Sequence, residues 1–166
     1  MVRIALERLR EGFQRIELMP SAEALELDPQ VFEDIRVELH LTYEGDRLLV
    51  QLWARAMATL ECDRTLELFK QPVEGTYSLF YAPPGVPVQR EDVEEVRALR
   101  SSDRFVDLTD VVRDTLLLAI PMRKVKPGAE SIPIPLQFGA PEVPEAEETP
   151  IDPRWEVLRK LRDRLP

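Results

Sequence analysis

The 166-residue sequence predicts an α+β fold: a mostly antiparallel sheet, either an open meander or one closed into a barrel, covered by a buried helix and followed by a C-terminal amphipathic helix. Three observations predict it. Apolar and polar residues alternate with period two over long adjacent stretches, the mark of half-buried strands. A later stretch, 109–120, switches to helical spacing. A proline-rich acidic tract then separates off a last basic segment with a leucine stripe.

Arg3 to Leu6 and Phe13 to Leu18 read as short strands on either side of an Arg10-Glu11-Gly12 turn. Ser21 to Leu27 favours a helical turn, which Asp28-Pro29 ends because proline disfavours helix in the residue before it. The alternation strengthens at Ile35, Val37, Leu39, Leu41 and Tyr43. Glu44-Gly45-Asp46 supplies the next turn, with Gly45 free to take positive φ. The return strand points Leu48, Val50, Leu52, Ala54, Ala56, Ala58, Leu60 and Cys62 to one side. Its alanines leave room for a helix to pack closely.

After an Asp63-Arg64 turn, Leu66 and Leu68 continue the alternation. Pro72 interrupts it before Val73, Tyr77, Leu79 and Tyr81 resume, and proline inside such a run marks an edge or a bulge. Residues 82–87 are a loop. Glu91 to Leu99 carries both helical spacing and a strand-like second half, and strand is the reading taken for that half. In the helix, Thr109 to Ile120, Leu108, Val111, Val112, Thr115, Leu116 and Ala119 form the core stripe. Asp107 or Thr109 caps its start and Pro121 stops it. Leu117, Leu118 and Ile120 widen the apolar face, which predicts a well-buried helix over the alanine strip.

Three regions follow from these signals: a body, 1–126, containing helix 109–120; an extended proline-rich acidic segment, 127–152; and a basic amphipathic helix, 153–166. Asp152 caps that last helix and Pro153 takes its first position. Trp155, Leu158, Leu161 and Leu165 form its stripe, while Arg154, Arg159, Lys160, Arg162 and Arg164 crowd the remainder. Trp155 suits both an anchor on the body and a platform for an unpaired base.

The formal net charge of −9 argues against a dedicated nucleic-acid clamp, leaves room for a local basic patch, and also suits association with basic proteins, ribosomal proteins among them. The N-terminus scatters Arg3, Glu7, Arg8 and Arg10 among its apolar residues, so it lacks a signal-peptide core. Leu116 to Ile120, the longest strongly apolar run, is too short for a bilayer of about 30 Å. The expectation is a soluble cytoplasmic protein.

Catalytic chemistry finds little to build on. Cys62 is the single cysteine and His40 the single histidine, so neither a disulfide nor a four-ligand zinc site has its donors. A nucleophilic triad lacks spacing, and six glycines without a G-x-G or G-K-[ST] run make no phosphate loop. Glu91-Asp92, Glu94-Glu95 and the Glu145 to Glu148 run read as solvated charge. Cys62 reads as a small buried apolar side chain, and His40 as a solvated imidazole. The expectation is no enzyme, no cofactor and no small-molecule substrate. Arg123, Lys124 and Lys126 follow the helix directly, which suits both helix-dipole pairing and RNA contact.

Three segments in this order resemble the YceD proteins, known as large ribosomal RNA subunit accumulation proteins. They are Leu60-Glu61-Cys62-Asp63-Arg64-Thr65-Leu66-Glu67; Asp107-Leu108-Thr109-Asp110-Val111-Val112-Arg113 running to Ile120-Pro121-Met122; and Asp152-Pro153-Arg154-Trp155 with its Leu158 to Leu161 continuation. The resemblance implies a bacterial cytoplasmic factor needed for normal large-subunit ribosomal RNA levels, binding ribosomal RNA or a ribosomal protein of the large subunit. Many members look like C-x-x-C proteins at the hairpin. Here Thr65 replaces the second cysteine, which sets any metal-linked role of the family aside for this chain. A protein-binding adaptor using the 127–152 segment is the alternative outside ribosome assembly, and a hydrolase built from unrecognised carboxylates is a third.

Overall fold

The structure, a computed structural model, describes residues 1–85 and 93–131, all within one compact unit, Met1–Ile132. Its strands are β1 (Arg3–Ala5), β2 (Gly12–Leu18), β3 (Phe32–Tyr43), β4 (Leu48–Glu61), β5 (Leu68–Ala82), β6 (Glu95–Ala98) and β7 (Phe105–Asp107); the helix α1 is Thr109–Leu118. Short 3-10 turns occupy Leu6–Arg8 and Glu23–Leu25, the second where a helical turn was expected.

The main sheet has the order β2-β3-β4-β5-β6 and is open, so the barrel alternative is set aside. It is mixed rather than wholly antiparallel. β2 to β5 form an antiparallel meander, but β6 joins β5 in parallel, pairing Leu79 with Glu95 and Ala82 with Ala98. The strand reading of Val96 to Ala98 therefore holds. A second, two-stranded sheet pairs β1 with β7.

Register follows the apolar alternation. Leu48, Val50, Leu52, Ala54, Ala56, Ala58 and Leu60 are all buried, and so are Val37, Leu39 and Leu41 opposite them. A one-residue slip would turn these rows to solvent, which is why the pairing is strongly specified. Gly45 takes the expected positive φ of 73° at the β3–β4 turn. Pro72 lies inside β5 opposite Met57, where no described strand flanks β5 on its other side. This is the edge position a proline tolerates.

α1 packs across β4 and β5. Ala54 stands opposite Gly75 in the ladder, and a Cβ added at Gly75 would lie 2.7 Å from Thr115 Cγ2 and 3.0 Å from Thr115 O. The alanine strip thus admits the helix, and Gly75 sets the closest approach. Val111, Val112, Thr115 and Leu116 are buried as the stripe predicts. The wider apolar face is a correction: Leu117 is 44% exposed and Leu118 84%. The helix also ends at Leu118, ahead of Ile120 and Pro121. One face of a helix fits against a sheet, and these side chains fall on the other.

At the helix start, the Asp107 carboxylate accepts the Thr109 N–H at 3.0 Å. Burial pushes the Asp107 carboxyl up, but the hydrogen bonds from Thr109 and Arg3 outweigh this and hold it below its ordinary value. Thr109 is not a cap. Its hydroxyl accepts the Val2 N–H at 2.8 Å and so ties the N-terminal strand to the helix.

His40 also departs from expectation. Its ring lies 4.4 Å from that of Trp53 and 5.3 Å from that of Phe13, and Nε2 is 2.7 Å from Glu38 Oε1. Alternation placed it on the outward face correctly. The aromatic neighbours came from other strands, which a one-dimensional pattern does not show.

Candidate functional site

The chemistry-bearing residues of the sequence meet at the tip joining β4 to β5. The Cys62 N–H donates to Glu67 O at 2.9 Å and the Leu66 N–H to Cys62 O at 2.9 Å, closing a tight turn. Leu66 sits in the left-handed region at φ 57°. It belongs to the turn, and the expected strand alternation begins at Leu68 instead. A left-handed conformation costs a residue with a Cβ roughly 1–2 kcal/mol, which the closed turn must outweigh.

The segment after α1 returns to this tip. Asp63 N–H donates to Lys124 O at 2.7 Å, and Lys124 N–H donates to Asp63 Oδ2 at 2.7 Å. Lys124 Nζ lies 3.9 Å from Asp63 Oδ1. Lys126 Nζ reaches Glu67 Oε2 at 2.9 Å, and this bond holds the Glu67 carboxyl below its ordinary value. Arg64 Nη1 approaches Ala129 O at 3.5 Å. Lys124 and Lys126 clasp the hairpin. Arg123 is exposed.

Cys62 is fully buried, as expected of a strand-end cysteine, but it is more than apolar filler. The Lys126 N–H donates to its Sγ at 3.4 Å. That bond is the largest of several that favour the thiolate and pull the thiol down to about 7. The Thr65 hydroxyl and the Arg64 and Thr65 N–H groups add to it, against the upward push of burial. Thr65 Oγ1 is itself buried without reaching full hydrogen-bond geometry. No sequence pattern carries this convergence, because Lys126 comes from a distant segment.

The tip does not fit a metal. Cys62 offers the one sulfur, His40 lies out on β3, and among the described residues no three His, Cys, Asp or Glu side chains gather to hold an ion. The pH dependence of the site follows from the thiol. A folded value near 7, below the ordinary 9.0, means the unfolded state binds more protons between these limits. Stability from Cys62 is then fully present above about 9, and it is lost as pH falls through about 7. Denaturant midpoints should rise across that window, and Cys62→Ala should remove this rise. A slope unchanged by the substitution would show that the thiol is not the titrating group.

Asp107 is placed at the β7–α1 junction, away from the tip's hydrogen bonds. Asp152, Pro153, Trp155, Arg154, Arg159, Lys160 and Arg162, with the 127–152 segment beyond Ser131 and the terminal helix, lie outside the described residues. Among the described residues no helix is long and apolar enough to cross a membrane.

An open mixed sheet with one covering helix and a clasped hairpin defines a small α+β protein whose distinctive residues close a turn. The sequence of the family described as "Large ribosomal RNA subunit accumulation protein YceD" matches residues 50–162, and the chain belongs to that family. The match spans most of β4, the hairpin tip, β5, β6, β7 and α1. No curated protein matches the chain, and no solved structure does.

Proposed function

We propose that this protein supports accumulation of large-subunit ribosomal RNA as a non-enzymatic cytoplasmic factor, by binding a basic protein of the large subunit. Family membership supplies the role. The observation that carries the choice of partner is the fate of the lysines at the tip. Lys126 is engaged by Glu67 at 2.9 Å, and Lys124 lies 3.9 Å from Asp63, so these two lysines at the turn already face carboxylates. A net charge of −9 acts in the same direction, attracting basic partners and repelling phosphate.

The measurement separates large-subunit protein stripped of RNA from large-subunit RNA stripped of protein and offers each to the purified chain. The protein fraction should be retained, more weakly as salt rises, because charge complementarity is screened. Charge reversal at Arg159, Lys160 and Arg162 should leave that retention intact. Retention of the RNA alone, lost on that charge reversal, would overturn the reading in favour of the terminal helix.

A further inference from the structure

We infer that the outer edge of β5 at Glu74–Thr76 docks an extended, basic segment of the protein partner as an added strand, an inference that rests on the protein-partner reading above. β5 is a long strand, Leu68–Ala82, but among the described residues its outer neighbour β6 covers only Leu79–Ala82. The ladder to β4 runs without a shift from Leu68 to Tyr81, so N–H and C=O groups alternate strictly between the two sides of β5. Ser78 fixes the phase. Its C=O accepts the Glu94 N–H and its N–H donates to Glu94 Oε2 at 2.7 Å, both on the side away from β4. Thr76 and Glu74 share that phase, so their N–H and C=O groups point outward too.

The edge is bounded at both ends. The Glu94 carboxylate takes the Ser78 N–H and hydroxyl and terminates the β6 side. Pro72, in the same phase, has no N–H to offer and blunts the other. Between them lies a short row of main-chain donors and acceptors that only an extended backbone matches.

Beside this row an open cleft of about 430 Å³ lies between β5, β6 and α1. Glu74, Glu95 and Asp114 line it, with Arg97 as the cation among them. Arg97 is already held by Glu95 at 2.8 Å and Asp110 at 3.0 Å. Glu74 pairs with Arg55 at 3.4 Å and Asp114 with Arg113 at 2.9 Å, so four carboxylates face three arginines around the cleft, and this acidic surplus favours a Lys or Arg side chain from the incoming strand. Leu118, 84% exposed, offers the apolar wall along which the stem of such a side chain lies. This also gives the exposed leucine, unexplained by the packing of α1, a partner.

The test uses the full chain and total large-subunit protein stripped of RNA as probe. Thr76→Pro deletes an outward N–H that the ladder to β4 does not use, so the chain should fold with an unchanged circular dichroism spectrum. It should bind the probe at least tenfold more weakly. Glu74→Lys with Asp114→Lys, which keeps the backbone intact, should weaken binding as well. In the unmodified chain, hydrogen exchange at the Glu74 and Thr76 amides should slow when the probe is added. Protein binding that survives Thr76→Pro, with those amides unprotected, would overturn the edge placement alone. Retention of RNA and no protein would overturn it together with the partner reading.

Discussion

Leu116→Ala is expected to destabilise the protein by about 2–5 kcal/mol, the range for truncating a buried leucine. Leu116 is fully buried on the face of α1 that meets the sheet, among Val111, Val112 and Thr115. The cost has two sources, the lost transfer free energy and the cavity left between helix and strands. Leu118→Ala, two residues on, should change stability by no more than about 0.5 kcal/mol, as for most surface sites. Urea unfolding of both variants measures the difference directly. Equal losses would mean that α1 is rotated from the face described.

Gly75→Ala carries the second large effect, expected at about 1–3 kcal/mol of destabilisation, the range for an overpacked contact. Its sign is informative. Where backbone and space permit, alanine in place of glycine stabilises by about 0.4–1 kcal/mol through the unfolded chain. Here the new Cβ would stand 2.7 Å from Thr115 Cγ2 and 3.0 Å from the Thr115 carbonyl oxygen. The methyl can be removed, whereas the carbonyl belongs to the helix backbone. Thr115→Ala should therefore recover part of the loss and not all of it, a coupling that a double-mutant cycle reads out. A Gly75→Ala variant as stable as the parent would show that the helix sits further from β5.

Most of the fold was legible because its signals are local. Period-two alternation found β3 and β4 and the buried side of each, and helical spacing found the face of α1 that packs. Glycine at position 45 and proline at position 72 marked a turn and an edge for reasons of backbone chemistry. The failures are equally physical. Leu66 has the residue type of a strand, yet the hydrogen bond from its N–H to Cys62 O holds it in a turn at positive φ. Leu117 and Leu118 look like core by composition, but a helix lying on one sheet has only one face to bury.

The candidate site was legible in its parts and not in its assembly. Cys62, Asp63 and Arg64 stood out as a motif, and Arg123, Lys124 and Lys126 as a basic cluster. That the second group closes over the first, with Lys126 N–H on the sulfur and Lys124 bonded to Asp63, depends on where α1 leaves the chain. The outward edge of β5 had only Pro72 as its sequence signal. The parallel seating of β6, which among the described residues leaves Glu74 and Thr76 without a neighbouring strand, is a property of topology.

Depletion of the protein in its native cells tests the central claim most directly, with large-subunit ribosomal RNA measured against small-subunit RNA. The account predicts that the ratio falls and that expression of the full chain restores it. An unchanged ratio under complete depletion would contradict it.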